Sequence, residues 1–118
     1  MLVLLDNGLR RLEKGKDKEK DKEPNTRGQV WKIDEKARTA TLVTNADLGV
    51  YSPNVGSAQR LSNGNYHFTT GAVRKDNTIR SRTIEVTPDG RIVYVLETPG
   101  TQTYRSNRVA DLYTPHSR

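Results

Sequence analysis

The sequence predicts an all-β fold made of antiparallel β-propeller blades, about one and a half of them. Three observations carry this expectation. Asn63-Gly64 and Pro88-Asp89-Gly90 each sit between alternating apolar and polar segments. Asn-Gly and Asp-Gly in that setting are strong hairpin signals, because primed turns need positive φ, which Gly and Asn tolerate. The segments they join, from Gly56 to Leu96, read as one up-and-down sheet of four short strands, the size of a propeller blade. Finally, Val30–Val43 aligns without a gap on Thr83–Leu96, a shift of 53 positions. Trp31 then falls on Ile84, Ile33 on Val86, Leu42 on Val95 and Arg27 on Arg80.

Taken in order, Leu2 to Leu5 is an apolar run ending in Asp6-Asn7-Gly8, a buried strand leaving into a turn. The opening residues resemble a clipped signal sequence, but no basic stretch precedes them and charges follow at once. A strand entering part-way through a sheet fits better. From Glu13 to Glu23 charges dominate, broken by Gly15 and ended by Pro24. Lys and Glu favour helix, yet the run has no apolar face to dock one, so a solvated insertion over 13–26 is expected. It would lengthen the connection between the second and third strands of a blade. Segment 1–12 would close a partial blade, and 27–118 would hold its remaining strands, one full blade and a closing segment.

Gln29 to Asp34 resumes order, with Trp31 and Ile33 on one face. Glu35 to Arg38 turns the chain, and Thr39 to Thr44 returns it through β-branched residues. Asn45 to Asn54 reads as loop, punctuated by Gly49 and Pro53. Tyr66 begins a strand that ends at Gly71, before a polar connection. After Leu96 a Pro99-Gly100 loop leads to Thr103–Tyr113, and the last residues should fray.

Composition narrows the function. Only 32% of the 118 residues are apolar, with one Phe and one Trp. Such a lean chain is expected to find part of its core against other blades or another chain. Entering one blade part-way, it reads as a piece of a larger propeller with uncovered sheet edges. The net charge of +6 admits an anionic ligand, but there is no basic helix or aromatic-interleaved basic stripe, which argues against nucleic acid. The absence of Cys excludes disulfides and thiolate metal sites. Asp34 and Asp89 read as neither metal ligands nor acid catalysts. No apolar run reaches the roughly 20 residues of a membrane span.

The ordered set Asp6-Asn-Gly-Leu-Arg-Arg11, Trp31-Lys-Ile-Asp-Glu35, Tyr51-Ser-Pro53, Gly56-Ser-Ala-Gln-Arg-Leu-Ser-Asn-Gly-Asn65, Ile84-Glu-Val-Thr-Pro-Asp-Gly90 and Tyr104-Arg-Ser-Asn-Arg108 resembles the C-terminal portion of the arylsulfotransferase family. The resemblance spans nearly the whole chain apart from the lysine-rich run. It implies an exported, periplasmic or secreted propeller of about six blades. The complete protein would move a sulfuryl group from an aryl sulfate to a phenol, with no nucleotide or other cofactor. It also implies a histidine nucleophile that splits the transfer into two steps, and Arg side chains that neutralise the sulfate oxygens. The family's blade-start histidines would lie upstream of Met1, so the isolated chain is expected to be inactive.

Carried onto this sequence, Arg11, with Arg10 beside it, matches a sulfate-binding arginine. His67 is the candidate for catalysis, although a lone strand histidine is more often a structural group than a nucleophile; His116 lies in the tail. Tyr51 and Gln59 sit where a propeller presents its channel, and could instead satisfy loop backbone. Tyr104, Arg105 and Arg108 form an aromatic-basic group that would bind an anion or close the ring. The alternative to sulfuryl transfer is a non-catalytic propeller segment acting in binding or assembly.

Overall fold

The computed structural model describes residues 1–8 and 25–111. The lysine-rich run, Arg10 and Arg11, and the tail with His116 lie outside the described residues. The chain is all-β among the described residues, with seven strands in two antiparallel sheets. Strands β1 (Leu2–Asp6), β2 (Arg27–Asp34) and β3 (Thr39–Asp47) form the first sheet in the order β1-β2-β3. Strands β4 (Gly56–Arg60), β5 (Tyr66–Lys75), β6 (Thr78–Val86) and β7 (Ile92–Pro99) form the second, as an up-and-down meander.

The two sheets pack face to face. Alternation sends Val3, Leu5, Val30 and Ala46 of the first sheet towards Ala58, Tyr66, Phe68, Ile84 and Val86 of the second. Phe68 is the plug of this core, wholly buried. Its ring lies against the backbone of Gly28, where an added Cβ would collide with it. A glycine in mid-strand thus marks a close approach between sheets.

The repeat seen in the sequence is also a repeat of pairing. Trp31 stands opposite Leu42 in the first sheet, and Ile84 stands opposite Val95 in the second. Leu2 opposite Trp31 answers Phe68 opposite Ile84. The equivalent faces also point the same way. Phe68 and Ile84 face the first sheet, whereas Leu2, Trp31 and Leu42 face away from the second. That outer apolar face is open, with Leu2 48% and Leu42 38% exposed.

The turns differ from the sequence reading in an instructive way. The Asn63-Gly64 and Asp89-Gly90 connections are not primed two-residue turns. In each only the glycine has positive φ, 89° at Gly64 and 91° at Gly90. The Gly64 N–H donates to Leu61 O and the Gly90 N–H to Thr87 O, at 3.0 and 2.9 Å. These are longer loops in which a turn is followed by a left-handed glycine. The two-residue hairpin turn is Asp76-Asn77, with φ of 51° and 63°, where the sequence carries no glycine. Asp and Asn tolerate the left-handed region, so β5 runs on past Gly71 to Lys75. A register shift between Thr70 and Val73 carries it through. Likewise β3 extends to Asp47 rather than ending at Thr44.

Candidate functional site

The Asp6-Asn7-Gly8 motif is tied into a buried polar knot. The Gly8 N–H donates to Asp6 Oδ1 at 3.0 Å, and Asn7 Nδ2 donates to Ser52 O at 2.7 Å. Thr26 and Ser52 are fully buried. The Ser52 N–H donates to Thr26 Oγ1 at 2.8 Å, and the Ala72 N–H of β5 donates to Ser52 Oγ at 3.0 Å. The Thr26 hydroxyl lies 3.3 Å from both Asn7 O and Ser52 O. The two points flanking segment 9–24 are therefore fastened to each other and to the second sheet. Arg10 and Arg11 follow immediately from this anchored turn.

Beside the knot, Tyr51 lines a cleft of about 310 Å³ between the sheets, together with Asn25, Val73, Arg74, Arg80 and Arg82. Arg80 and Arg82 stand on the same face of β6 as Ile84. Between them they hold the Glu97 carboxylate of β7. Arg80 Nη1 donates to both of its oxygens at 3.2 and 3.3 Å, and Arg82 Nε donates to one at 2.9 Å. Hydrogen bonds from these two arginines keep Glu97 below the usual carboxylate range. Three guanidinium groups against one carboxylate leave the cleft cationic, suited to an oxyanion. The sequence reading chose Tyr51 but missed Arg74, Arg80 and Arg82. The repeat had already placed Arg80 on Arg27, and counting back by twos from Ile84 would have aimed both β6 arginines at this cleft.

The remaining residues singled out from sequence lie elsewhere. His67 and Gln59 lie on the opposite face of the second sheet, beneath a strap formed by residues 101–111 that itself carries Arg108. His67 is almost fully buried, 2.9 Å through Nε2 from Ser106 Oγ, and its Nδ1 has no hydrogen-bond partner among the described residues. Arg108 pairs with Glu85 at 3.7 Å and lies over the Tyr94 ring at 5.0 Å. It is thus separated from Tyr104 and Arg105, which stack on one another at 5.8 Å on the outside of the strap, with Tyr104 72% exposed. The aromatic-basic group expected from sequence is split in two. The physical reason is charge pairing: Arg108 turns in to meet the Glu85 carboxylate, whereas Tyr104 and Arg105 turn out.

This face makes stability depend on pH. Burial, with the Arg108 guanidinium adding to it, holds His67 below the ordinary histidine value of 6.5. The unfolded chain therefore takes up this proton at a higher pH than the folded chain does. Stability is full above pH 6.5 and falls as pH drops through the lower folded value. Hydrogen bonds from Asn63 and Asn65, with the charges of Arg108 and His67, hold Glu85 below 4.5 against its burial. Its contribution is present above that pH and lost on further acidification. Melting temperatures measured from pH 8 to pH 2.5 are expected to fall in two limbs, and His67→Gln should abolish the upper limb. A profile unchanged by that substitution would contradict the assignment.

No helix among the described residues is long and apolar enough to cross a membrane. Two successive antiparallel sheets with an arginine-lined cleft between them define an all-β protein among the described residues. Residues 1–105 match the family model described as Arylsulfotransferase (ASST). The chain belongs to the arylsulfotransferase family. No curated protein and no solved structure matches it.

Proposed function

We propose that this chain supplies two successive blades of a propeller that transfers a sulfuryl group from an aryl sulfate to a phenol. The observation that carries the reading is the family match over residues 1–105, laid on two sheets that repeat with their equivalent faces pointing the same way. A ring of blades stacks in that manner, each covering the apolar face of the next. The open Leu2, Trp31 and Leu42 face is where a preceding blade would pack. The domain plan follows: 1–12 ends a partial blade, 13–26 is an insertion, and 27–118 completes that blade and adds a full one. By its family the protein works outside the cytoplasm, in the periplasm or as a secreted enzyme.

Arg11 and Arg10, leaving the anchored Asp6-Asn7-Gly8 turn, would bind the sulfate oxygens. Tyr51, Arg74, Arg80 and Arg82 line a cationic cleft between the sheets. A sulfuryl group in transfer carries negative charge on its equatorial oxygens, and fixed guanidinium groups stabilise that charge as it develops. His67 is assigned a structural role, because it is covered by the strap and paired to Ser106. Gln59 and Arg108 hold that strap, and Tyr104 with Arg105 stands ready on the surface as a secondary anion contact. A non-catalytic role in assembly is the second reading, favoured by the open apolar face of the first sheet.

Titrating the chain with a nitrophenyl sulfate tests the proposal. The expected result is binding without turnover, with Arg11→Ala weakening it about tenfold or more, the worth of a hydrogen bond to a charged group. Affinity indifferent to Arg11→Ala, or no binding to the folded chain, would favour assembly. Phenol-dependent release of nitrophenol, abolished by Arg11→Ala, would overturn the expectation that turnover needs further blades.

A further inference from the structure

We infer that the arginine-lined cleft between the sheets is a binding site for a phosphate monoester in its dianionic form, separate from the sulfate contact proposed at Arg10 and Arg11. The charge of the cleft points to this ligand first. Arg74, Arg80 and Arg82 line it, and Glu97 is the carboxylate that Arg80 and Arg82 hold. Among these groups, three positive charges against one negative leave a formal +2. Arg74 is exposed, and its side chain has no hydrogen bond or ion pair among the described residues. An aryl sulfate carries one negative charge, whereas a phosphate monoester carries close to two near neutral pH. The monoester is the ligand that neutralises the cleft.

The first sheet holds the same constellation without the excess charge. Arg27 and Gln29 of β2 stand where Arg80 and Arg82 stand on β6, by pairing as well as by sequence. Both donate to the Asn45 side chain, Arg27 Nε at 2.7 Å and Gln29 Nε2 at 3.4 Å, just as Arg80 and Arg82 both donate to Glu97. The residue opposite Arg27 is Asp47, which pairs with it at 4.0 Å. Opposite Arg80 is Pro99, which carries no charge. A cluster that only tied strands together would need no more than this neutral version. The second sheet has Arg82 for Gln29, Glu97 for Asn45 and Pro99 for Asp47, and so ends with positive charge in excess.

The rest of the lining suits the organic body of an ester. The cleft holds about 310 Å³, within the range of about 300–1,000 Å³ usual for small-ligand sites. Val50 and Tyr51, in the connection from β3 to β4, line it together with Val73. They supply aliphatic and aromatic surface, while the guanidinium groups present forked N–H donors that match phosphate oxygens. Arg80 and Arg82 are already aimed by Glu97, so little side-chain freedom is lost when a ligand binds. The same carboxylate uses part of their donor capacity, and therefore competes with the ligand for which it holds them ready.

Calorimetric titration of the full chain with phenyl phosphate and with phenyl sulfate, at equal ionic strength and about pH 7.5, tests the charge match. The two probes share a ring and differ in charge. Phenyl phosphate is expected to bind about tenfold tighter or more, the effect of one added charge-assisted contact. Glu97→Gln should tighten phenyl phosphate severalfold by removing the competing carboxylate, and Arg82→Gln should weaken it about tenfold. Because Arg82→Gln can also loosen β7, Arg74→Gln gives a second reading. The Arg74 side chain holds nothing in the described fold, so phenyl phosphate should weaken while the melting temperature stays unmoved. Equal affinity for the two probes, a Glu97→Gln chain that binds no tighter, or binding untouched by Arg74→Gln overturns the proposal. Loss of phenyl phosphate binding in Arg11→Ala, with Arg74→Gln silent, places the ligand at the other site and overturns it equally.

Discussion

Phe68→Ala is expected to lower the free energy of unfolding by about 3–5 kcal/mol, the cost of truncating a fully buried aromatic. For a small domain with a total of about 5–15 kcal/mol, that is enough to cost cooperative folding. The reason lies in where the ring sits. Phe68 is the chain's one phenylalanine, at the centre of the packing between sheets, and the first sheet meets it with a bare glycine backbone. No neighbour can collapse into the space left behind, because the opposing surface is main chain already committed to the β2 ladder. Gly28→Ala attacks the same interlock from the other side and should cost about 1–3 kcal/mol through overpacking. Combined with Phe68→Leu, which frees room for the new methyl, its cost should be smaller than when made alone. Urea unfolding followed by the fluorescence of Trp31 measures all three. A Phe68→Ala chain within 1 kcal/mol of the parent would mean that the sheets do not depend on this contact.

Ser52→Ala is the second large effect, expected at about 1–3 kcal/mol from a side chain of two heavy atoms. Little apolar area changes. What is lost is the acceptor for the Ala72 N–H, in a place water does not reach, and a buried donor left unpaired carries its full desolvation cost. Thr26→Val should act similarly by orphaning the Ser52 N–H, whereas Thr26→Ser keeps the oxygen and should be mild. Hydrogen exchange separates this from general loosening: Ala72 should lose protection in Ser52→Ala well before Ile84 does. Equal losses at both amides would count against the knot as a local fastening. The functional consequence follows from position. This knot fixes Asn7 and Thr26, and on the proposed function aryl sulfate affinity should fall with it.

Much of this was legible in the sequence. Alternation around Tyr66, His67 and Phe68 assigned opposite faces to the histidine and its aromatic neighbours, and the structure keeps that division. The ungapped match of Val30–Val43 to Thr83–Leu96 survives as equivalent pairing of Trp31 with Leu42 and Ile84 with Val95. Family membership was legible too, because turn and strand motifs in a fixed order are properties of the chain itself. The Asp76-Asn77 turn was not, since a left-handed pair without glycine leaves only a weak local signal. Nor was the parting of Arg108 from Tyr104 and Arg105, since a run of neighbours says nothing of which side chain finds a buried carboxylate.

The sequence alone thus determined the all-β class, the repeat and the family, all of which rest on period-two patterning and local turn chemistry. Only the tertiary structure decided which face meets which. It brought Arg74, Arg80 and Arg82 to Tyr51, and laid residues 103–108 over His67. Those juxtapositions join residues far apart in the chain, through sheet stacking and the complementarity of buried charges and hydroxyls, and neither leaves a periodic trace in the order of the amino acids.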